Sequence, residues 1–450
     1  MENNLITINK ILNKKILIWG YGLEGKSAIN LLLSKGVKNI TVATKDKIED
    51  TKENVSFILE DDILKYDFDY IIKSPGISMY KRECEILQTN GVIITSTLNL
   101  LLSKIIDENK KVKVIAITGT KGKSTTSSML YHILNNLNYK VALLGNIGIS
   151  FLDVFDKLND YDYLVLELSS YQIKNLHCNI DYSIILNLFP EHIDWHLTHE
   201  NYFKDKMNII NYSKKVAFNA SNETVMKYMG HINNDKKFIP FGNSDKYHIE
   251  NNFIKYYTTN IFDINSISNI KGEHIFKNIC GILSILEEEN INITNALNTL
   301  KDFKTLKYRL DVFFNNTTNN TIFVNDSIST IPESTIEAIK TFKKNNIFLI
   351  LGGFDRQQDY SKLIEVILNP QNNIKKIFLI GQTGKRLQVE LENKINCSLY
   401  NSYEELVKVI KSNDLKNTTV LLSPASSSYD MFNNFEKRGE KFEKLMLENN

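Results

Sequence analysis

Short apolar segments alternate with amphipathic segments along most of the chain. The pattern predicts strands at residues 15–20, 39–44, 70–74, 114–118, 141–144, 163–168 and 183–188, with a helix near 26–34. A later block predicts strands at 321–325, 347–352, 376–381 and 419–423, with helices at 333–344 and 431–447. Such alternation is typical of parallel sheets that helices cover on both faces. Because ligands bind at the carboxyl ends of such strands, the loops there are the places to search for chemistry.

The length of the chain predicts more than one domain, because 450 residues exceed what one ordinary core holds. A polar segment at 107–113 precedes a new strand, and a third strand-rich block begins near 303–308. We therefore predict an α/β protein of three domains: Rossmann-like residues 1–108, a central parallel sheet at 109–304, and Rossmann-like residues 305–450. Residues 219–269 are weakly patterned and predict no element.

Composition narrows the possible partners and the compartment. The 54 basic and 52 acidic side chains nearly cancel, so we expect neither a nucleic-acid partner nor a polybasic membrane contact. The cysteines are widely scattered without a CxxC pair, which argues against a disulfide framework or a cysteine-based zinc site. The N-terminal residues lack the features of a signal peptide, and no apolar run reaches membrane-spanning length. We expect a cytoplasmic protein.

A glycine-rich loop follows the strand predicted at 114–118 and opens a helix. Gly119 and Gly122 allow backbone N–H groups to converge on phosphate oxygens, where the helix N-terminus adds positive potential. Lys123 would reach the β- and γ-phosphates, and the Ser124 hydroxyl would bind Mg²⁺. The spacing GxxGKS is shorter than the full GxxxxGKS pattern, so a tight structural turn is the alternative. Since strand, turn and helix agree, we predict a nucleotide-binding P-loop.

A second glycine motif, GYGLEG, runs from Gly20 to Gly25 between the first strand and the first helix. This context suits a dinucleotide. However, the acidic residue expected at the end of the next strand is missing, because Thr44-Lys45-Asp46 stands there. We therefore favour another pyrophosphate or nucleotide, or a purely structural turn, over NAD.

Two charged residues near strand ends could act on a bound nucleotide. Glu167 ends an apolar strand, where a carboxylate could hold a Mg²⁺ ion shared with the phosphates. The alternative is an ordinary, partly exposed glutamate. Further along, the i,i+4 spacing places Tyr202 and Lys206 on one face of a helix. A lone helix lysine is usually solvated, so the spacing alone assigns it no role.

Three histidines lie close together after the strand predicted at 183–188. They suggest zinc, but the segment lacks a clear fourth ligand and a recognisable spacing. For His196 and His199 we favour solvent-facing side chains. His192 differs because it follows a strand end near the other phosphate-proximal loops.

Taken together, the motifs resemble the Mur ligase family over essentially the whole chain. In chain order they are GYGLEGKS, SPGI, ITGTKGKST, GNIG, LELSSYQ, NLFPEHIDWH, YFKDK, KGEHIFKN, KYR, NDSIST, LGGFDRQQD and LLSPASSSYDMFNNFEKRGEKF. The last segment resembles the C-terminal signature of the members that add D-glutamate. The resemblance implies an ATP-dependent ligase of peptidoglycan synthesis. A substrate carboxylate attacks the γ-phosphate of ATP, and an amine then attacks the resulting acyl phosphate.

The resemblance also implies roles for individual residues. By this resemblance, the catalytic residues are Lys123, Glu167, His192 and Lys206. The implied ATP site consists of Gly119, Thr120, Lys121, Gly122, Lys123, Ser124, Thr125, Asn278 and Arg309. The implied ligands of two Mg²⁺ ions are Ser124, Glu167, His192 and Lys206, the last as a carbamate. UDP-N-acetylmuramoyl-L-alanine would contact Leu23, Glu24, Ser74, Gly76, Asn146, Ser169 and Gln172, and D-glutamate would contact Thr330, Arg356, Ser428 and Phe435.

The chain departs from the family pattern at a few positions. Thr44-Lys45-Asp46 replaces the usual uracil contact, Ile275 stands where an asparagine is common, and Ile328 and Arg356 stand where lysines are common. Three alternatives remain: another Mur-type amide ligase, an NAD-dependent oxidoreductase, and a non-catalytic nucleotide-regulated module. We expect a monomer whose partners are small molecules.

Overall fold

A computed structural model describes residues 5–48, 53–191, 193–229, 237–244, 246–267, 270, 272–304 and 306–448. The chain divides into two compact units. The first unit comprises Met1–Ser266 and Phe276–Lys301, and the second comprises Ile267–Ile275 and Asp302–Asn450. The division into domains at 1–108, 109–304 and 305–450 stays a prediction.

The first sheet of the first unit is parallel and has the strand order β3-β2-β1-β4-β5. Its strands are β1 (Ile16–Trp19), β2 (Ile40–Thr44), β3 (Val55–Leu59), β4 (Tyr70–Lys73) and β5 (Ile93–Thr95). The accompanying helices are α1 (Ile8–Ile11), α2 (Leu23–Ser34), α3 (Arg82–Thr89) and α4 (Thr97–Asp107). A Cβ atom at Gly25 would lie 2.0 Å from the carbonyl oxygen of Gly20, so only glycine lets α2 pack this closely on the turn after β1.

The second sheet of the first unit is also parallel, with the order β11-β10-β9-β6-β8-β7. Its strands are β6 (Lys113–Thr118), β7 (Val141–Gly145), β8 (Tyr163–Glu167), β9 (Ile180–Ile185), β10 (Ser213–Asn219) and β11 (Phe238–Phe241). The helices are α5 (Lys123–Asn136), α6 (Ser170–Lys174), α7 (Ile193–His196), α8 (His199–Met207), α9 (Ile209–Tyr212), α10 (Glu223–Met229), α11 (Glu273–Glu288) and α12 (Ile293–Thr299). Ile117 of β6 pairs with Glu167 on one side and with Ile184 on the other. The loops after these three strands therefore begin at one edge of the sheet.

A single apolar cluster runs through both parallel sheets of the first unit. It includes Ile18 of β1, Leu101 of α4, Phe151, and Leu164 of β8, each of which is almost fully buried. Burial of such side chains is the main favourable contribution to folding. The two sheets thus share one core, which explains why they form one unit.

A small antiparallel sheet occupies part of the region in which the sequence pattern predicts no element. It consists of β12 (Tyr247–Glu250), β13 (Phe253–Tyr256) and β14 (Thr259–Asp263). Asn251 and Asn252 connect the first two strands, with φ angles of 51° and 65°. Two consecutive residues of positive φ are typical of a type I′ hairpin turn, for which asparagine is well suited. This Asn-Asn pair was the overlooked sequence signal.

The second unit contains a six-stranded sheet with the order β15-β16-β20-β17-β18-β19. Its strands are β15 (Asp311–Asn316), β16 (Thr321–Asn325), β17 (Asn346–Gly352), β18 (Ile374–Ile380), β19 (Cys397–Tyr400) and β20 (Thr418–Leu422). Its helices are α13 (Pro332–Phe342), α14 (Ser361–Leu368), α15 (Gly381–Leu391), α16 (Tyr403–Lys411) and α17 (Phe435–Leu447). The sheet is parallel except for β15, which pairs with β16 in antiparallel fashion. Loops after β16, β17 and β20 share one edge.

The α/β class with parallel sheets is confirmed, although the structure differs from the prediction in several strands. The strand predicted at 183–188 ends at Ile185, so Leu188 lies in the following loop. Six strands of the three large sheets were not predicted: β3, β5, β10, β11, β15 and β19. Of these, β3 and β19 are only partly buried and lack a continuous apolar run. None of the helices in the described part of the chain has the length and apolar character needed to span a membrane.

We predict that Leu164→Ala destabilises the first unit by about 2–5 kcal/mol, the usual cost of a cavity in a well-packed core. Leu164 is fully buried in the shared core. Leu64→Ala is the matched control, because 46% of the Leu64 side chain is exposed and its loss should cost less than about 1 kcal/mol. Urea unfolding followed by tryptophan fluorescence measures both, since Trp19 and Trp195 lie in this unit. Equal effects of the two substitutions would contradict a core role for Leu164.

Candidate active site

The loop between β6 and α5 is held by the residue that follows β9 on the neighbouring strand. Asn187 accepts a hydrogen bond from the backbone N–H of Lys121 (2.8 Å) through its side-chain oxygen and donates one to the Lys121 carbonyl (2.9 Å). Its own carbonyl accepts from the N–H of Thr120 (2.8 Å). Sequence analysis did not single out Asn187, although a polar residue just after an apolar strand was the available signal. The loop is therefore shaped before any nucleotide binds.

Two lysine side chains converge on one carbonyl oxygen of this loop. The Nζ atom of Lys123 donates to the carbonyl of Gly119 (2.8 Å), and the Nζ atom of Lys206 donates to the same oxygen (3.1 Å). Lys206 is fully buried, so the expectation of a solvated helix lysine is wrong. Burial is the main reason that its pKa is lowered well below the ordinary value, and nearby Lys123 lowers it further. Burial thus shifts Lys206 toward the neutral amine.

Glu167 lies at the end of β8 with its side chain buried, which excludes a partly exposed glutamate. Its Oε2 atom has no hydrogen-bond partner within the part of the chain that the structure describes. A buried carboxylate oxygen in this state is costly unless a cation or donor completes the site. The donor set fits Mg²⁺, which prefers oxygen ligands. The hydroxyl of Ser124, a half-buried residue in the first turn of α5, is a second oxygen donor. The predicted ligand His192 lies outside the described residues.

A cavity of about 310 Å³ opens beside the two lysines. This volume lies at the lower end of the range typical of small-molecule sites. Its walls come from both parallel sheets of the first unit and consist of Pro75, Gly76, Lys123, Asn146, Ser169, Ser170, Tyr171, Tyr202 and Lys206. The cavity therefore brings together residues predicted for ATP, for the metal and for the UDP-linked substrate, whose roles remain predictions.

Four other residues predicted for the UDP-linked substrate do not line this cavity. Leu23 is 64% exposed, and the Ser74 hydroxyl donates to the carbonyl of Gly20 (3.4 Å). The Glu24 carboxylate accepts a hydrogen bond from Thr97, and burial raises its pKa. The side-chain oxygen of Gln172 accepts from the backbone N–H of Ser169 (2.8 Å), which caps α6. Glu24 and Gln172 are thus engaged by the fold itself.

The two remaining residues predicted for ATP lie in different units. Asn278 of α11 is buried against the loop, because a Cβ atom added to Gly122 would meet its amide nitrogen at 2.4 Å. Arg309 belongs to the second unit, just before β15. Its positive charge lowers the pKa of Asp326, whereas burial, the larger effect, raises that pKa to about 6.

His196 forms part of a buried polar chain that sequence analysis missed. The expectation of a solvent-facing side chain is wrong for His196, which is fully buried, and confirmed for His199, which is exposed. The ring of His196 lies between the hydroxyl of Ser170 (2.9 Å) and the carboxylate of Asp205 (2.7 Å). His196 is buried because it is the last residue of α7 and its ring stacks against Tyr171. Three polar residues so far apart in sequence gave no pattern to detect.

The residues predicted for D-glutamate lie in loops at one edge of the second unit's sheet. The carbonyl of Thr330 accepts a hydrogen bond from the side chain of Gln358 (3.2 Å), which links the loops after β16 and β17. The guanidinium of Arg356 is exposed and lies 5.7 Å from the ring centre of Tyr429, the residue after Ser428. Ser428 is buried, and Phe435 begins α17. The loops after β16, β17 and β20 are thus close neighbours.

A buried arginine and aspartate organise these same loops, and neither was predicted. The Arg438 guanidinium donates to the Ser327 hydroxyl (3.0 Å) and to the carbonyls of Ser327 (2.8 Å) and Ser426 (2.9 Å). Asp326 accepts from the hydroxyls of Ser329 (2.6 Å) and Ser423 (2.7 Å). Asp326 follows an apolar strand, which was a usable signal. Arg438 gave none, because it lies in a highly charged helix where arginine is expected at the surface.

Comparisons with known proteins agree with this arrangement. Residues 117–301 match the Mur ligase middle domain, and residues 12–89 match the C2185-like N-terminal family. The UDP-N-acetylmuramoylalanine–D-glutamate ligase of Fusobacterium nucleatum is 34% identical over 96% of this chain and 99% of its own length. The ligase of the same name from Francisella philomiragia is 30% identical over 96% and 97%. The structure of MurF ligase from Thermotoga maritima in complex with ADP has a TM-score of 0.61 at 16% identity, covering 97% and 95%.

The glycine loop, the two lysines and the parallel sheets define an enzyme that uses a nucleoside triphosphate. The first two relatives above are 30% or more identical over 96% of this chain, and the chain belongs to the Mur ligase family. It is an ATP-dependent ligase.

We predict that Gly122→Ala weakens binding of a non-hydrolysable ATP analogue at least about tenfold, because the loop must move to relieve the contact with Asn278. Gly122 also has a φ angle of 83°, which alanine adopts only with strain. Gly36→Ala is the control, since Gly36 has a similar φ angle of 80° but open space around its Cβ position. Calorimetric titration should show unchanged nucleotide affinity for the control. Equal losses in both variants would show that backbone strain alone is responsible.

Proposed function

We propose that the chain joins D-glutamate to UDP-N-acetylmuramoyl-L-alanine at the expense of ATP. The observation that carries this proposal is the convergence of Lys123 and Lys206 on the glycine loop, beside the buried Glu167 carboxylate. The Oε2 atom of Glu167 has no hydrogen-bond partner among the residues that the structure describes. The names of relatives that match nearly the whole chain support the identity of the substrates. All partners are small molecules, and the enzyme acts as a monomer in the cytoplasm.

The reaction proceeds in two steps. The alanyl carboxylate attacks the γ-phosphate of ATP, which forms an acyl phosphate and releases ADP. The amine of D-glutamate then attacks the acyl carbon, so that an amide forms, phosphate leaves and the nitrogen loses a proton. Lys123 stabilises charge on the transferred phosphoryl group, because its ammonium is held at the loop by the carbonyls of Gly119 and Thr120. Ser124, Glu167 and His192 would hold Mg²⁺, which would supply further neutralisation of the phosphate charge.

Lys206 completes the site as a carbamate. Its lowered pKa favours the neutral amine, whose lone pair attacks the carbon of CO₂, and loss of a proton leaves an anionic carbamate. This modification replaces a second cation beside Lys123 with oxygen atoms of the kind that Mg²⁺ binds. Tyr202, whose ring centre lies 5.1 Å from the Nζ atom of Lys206, keeps that side chain on the inner face of α8.

The loops after β16, β17 and β20 bind the amino acid. Thr330, Ser428 and the backbone N–H groups around them suit a carboxylate, and Phe435 closes the wall. The Arg356 guanidinium can clamp a second carboxylate through two parallel hydrogen bonds. A dicarboxylate therefore suits this edge better than alanine, lysine or diaminopimelate, which are added by other Mur-type ligases.

The amino-acid assignment is tested by phosphate release with UDP-N-acetylmuramoyl-L-alanine and each of these amino acids. We expect strong preference for D-glutamate. Arg356→Ala should raise the KM for D-glutamate roughly 10- to 100-fold and leave the KM for ATP nearly unchanged, since one charged hydrogen-bond donor is lost. Arg82→Ala, which removes an exposed arginine of the first unit, is the control. Faster turnover with lysine or diaminopimelate would assign the chain to a neighbouring step.

The carbamate is tested by chemical rescue. Lys206→Ala should lower kcat by more than about 10²-fold, because an anionic ligand is missing. Acetate or formate should restore part of the activity by supplying a carboxylate in the vacated space. Lys123→Ala should be impaired as strongly but gain nothing from these anions, since it lacks a cation. Lys204→Ala is the control on the same helix, because Lys204 is exposed and pairs with Glu200. Equal rescue of both impaired variants would refute the carbamate.

A further inference from the structure

A buried chain of hydrogen bonds ends at the cavity and has no part in the mechanism above. The Ser170 hydroxyl lies 2.9 Å from Nε2 of His196, and Nδ1 of that ring lies 2.7 Å from Asp205. The Asp205 carboxylate also accepts from the hydroxyl of Tyr80 (2.9 Å) and pairs with the ammonium of Lys174 (2.9 Å). Ser170, His196 and Asp205 are each at least 96% buried.

The ion pair between Asp205 and Lys174 sets the direction of the hydrogen bond at Nδ1 of His196, and the direction at Nε2 depends on the form of the ring. A carboxylate paired with a lysine can only accept, so Nδ1–H of His196 donates to Asp205. In the neutral ring, Nε2 then carries a lone pair and accepts the hydrogen of the Ser170 hydroxyl. With the ring in this form, the Ser170 oxygen offers only lone pairs to the cavity. Its neighbour Ser169 differs, because its hydroxyl both donates to Gln172 (2.9 Å) and accepts from that residue's N–H.

Aromatic stacking holds the histidine ring in this orientation. The ring of Tyr171 stacks on His196 with centroids 5.4 Å apart and on Trp195 with centroids 4.6 Å apart. Tyr202 meets the His196 ring edge-on at 5.3 Å. Since the ring is held by stacking and hydrogen-bonded at both nitrogens, it cannot easily turn to present a donor to Ser170 instead.

The wall of the cavity thus contains the Lys123 ammonium, the Lys206 side chain and, with this form of the ring, an oriented hydroxyl acceptor. The Lys123 ammonium suits phosphate and carboxylate oxygens, whereas the Ser170 acceptor suits an N–H group. We propose that Ser170 binds an N–H group of the substrate, and that His196 and Asp205 are positioning residues that keep its hydroxyl in the accepting orientation. This inference rests on the proposed function. The N–H belongs either to the amide beside the alanyl carboxylate or to the amine of the incoming amino acid.

A double-mutant cycle tests the coupling. Ser170→Ala and His196→Asn should each lower kcat/KM roughly tenfold, the effect of one lost hydrogen bond, and the double variant should be no worse than either. The asparagine amide can still donate to Asp205 but is too short to reach Ser170. His199→Asn, an exposed histidine of the same segment, should behave as wild type. Normal kinetics for Ser170→Ala, or additive losses in the double variant, would overturn the proposal.

The source of the N–H group is identified with an analogue in which an ester replaces the alanyl amide. If the amide is the donor, the kcat/KM of the wild type falls about tenfold with the ester analogue, and Ser170→Ala lowers kcat/KM for that analogue no further. If the amine is the donor, Ser170→Ala lowers kcat/KM for D-glutamate equally with both substrates. If kcat/KM falls in neither experiment, Ser170 is not an acceptor for the substrate. Wild-type turnover tests the proposed function itself, so the two failures are distinguishable.

The orientation of the hydroxyl has a direct spectroscopic test that does not depend on activity. Nitrogen-15 NMR of the histidine-labelled protein should show His196 as a neutral ring with the proton on Nδ1, identified by the loss of its signals in His196→Asn. A ring protonated on both nitrogens, or on Nε2 alone, would overturn the proposal, because Ser170 would then accept from the ring and its own hydrogen would face the cavity.

Discussion

The carbonyl oxygen of Gly119 accepts hydrogen bonds from the Nζ atoms of both Lys123 and Lys206, and the rest of the site is arranged around this contact. Two cations at one oxygen repel each other, and the cost grows as water is excluded. The burial of Lys206 lowers its pKa and so shifts this side chain toward the neutral amine. A lysine forms a carbamate only from its neutral amine, so burial of Lys206 beside Lys123 favours the reactive form of this side chain.

The position of β6 at the centre of its sheet makes this contact possible. Its neighbours β8 and β9 end at the same edge and supply Glu167 on one side and Asn187 on the other. Asn278 packs against the loop from α11 and leaves room only for glycine at position 122. The loop is consequently rigid before nucleotide arrives, which lowers the entropic cost of binding. Preorganisation of this kind is what a phosphoryl-transfer site needs most.

In the second unit, buried polar residues also hold the loops of the site in place. Arg438 and Asp326 are buried polar residues whose hydrogen bonds tie together loops from β16 and β20. Burial of an ion is costly, and the hydrogen bonds that offset this cost form only when the loops adopt this arrangement. Exposed Arg356 stays outside this cluster and stacks near Tyr429. The rigid base and the accessible guanidinium suit a site that must hold a small anion.

The sequence by itself determined the α/β class, the glycine loop and the place of Glu167, because these depend on local periodicity and on residues adjacent in the chain. It also indicated that Tyr202 and Lys206 share a helix face. Only the tertiary structure decided that this face is buried, that His196 is enclosed, and that Asp205 joins it to Ser170. The reason is physical. Burial and hydrogen-bond partners depend on how distant segments pack, and an amphipathic helix of mixed charge does not reveal which of its polar residues lose contact with water.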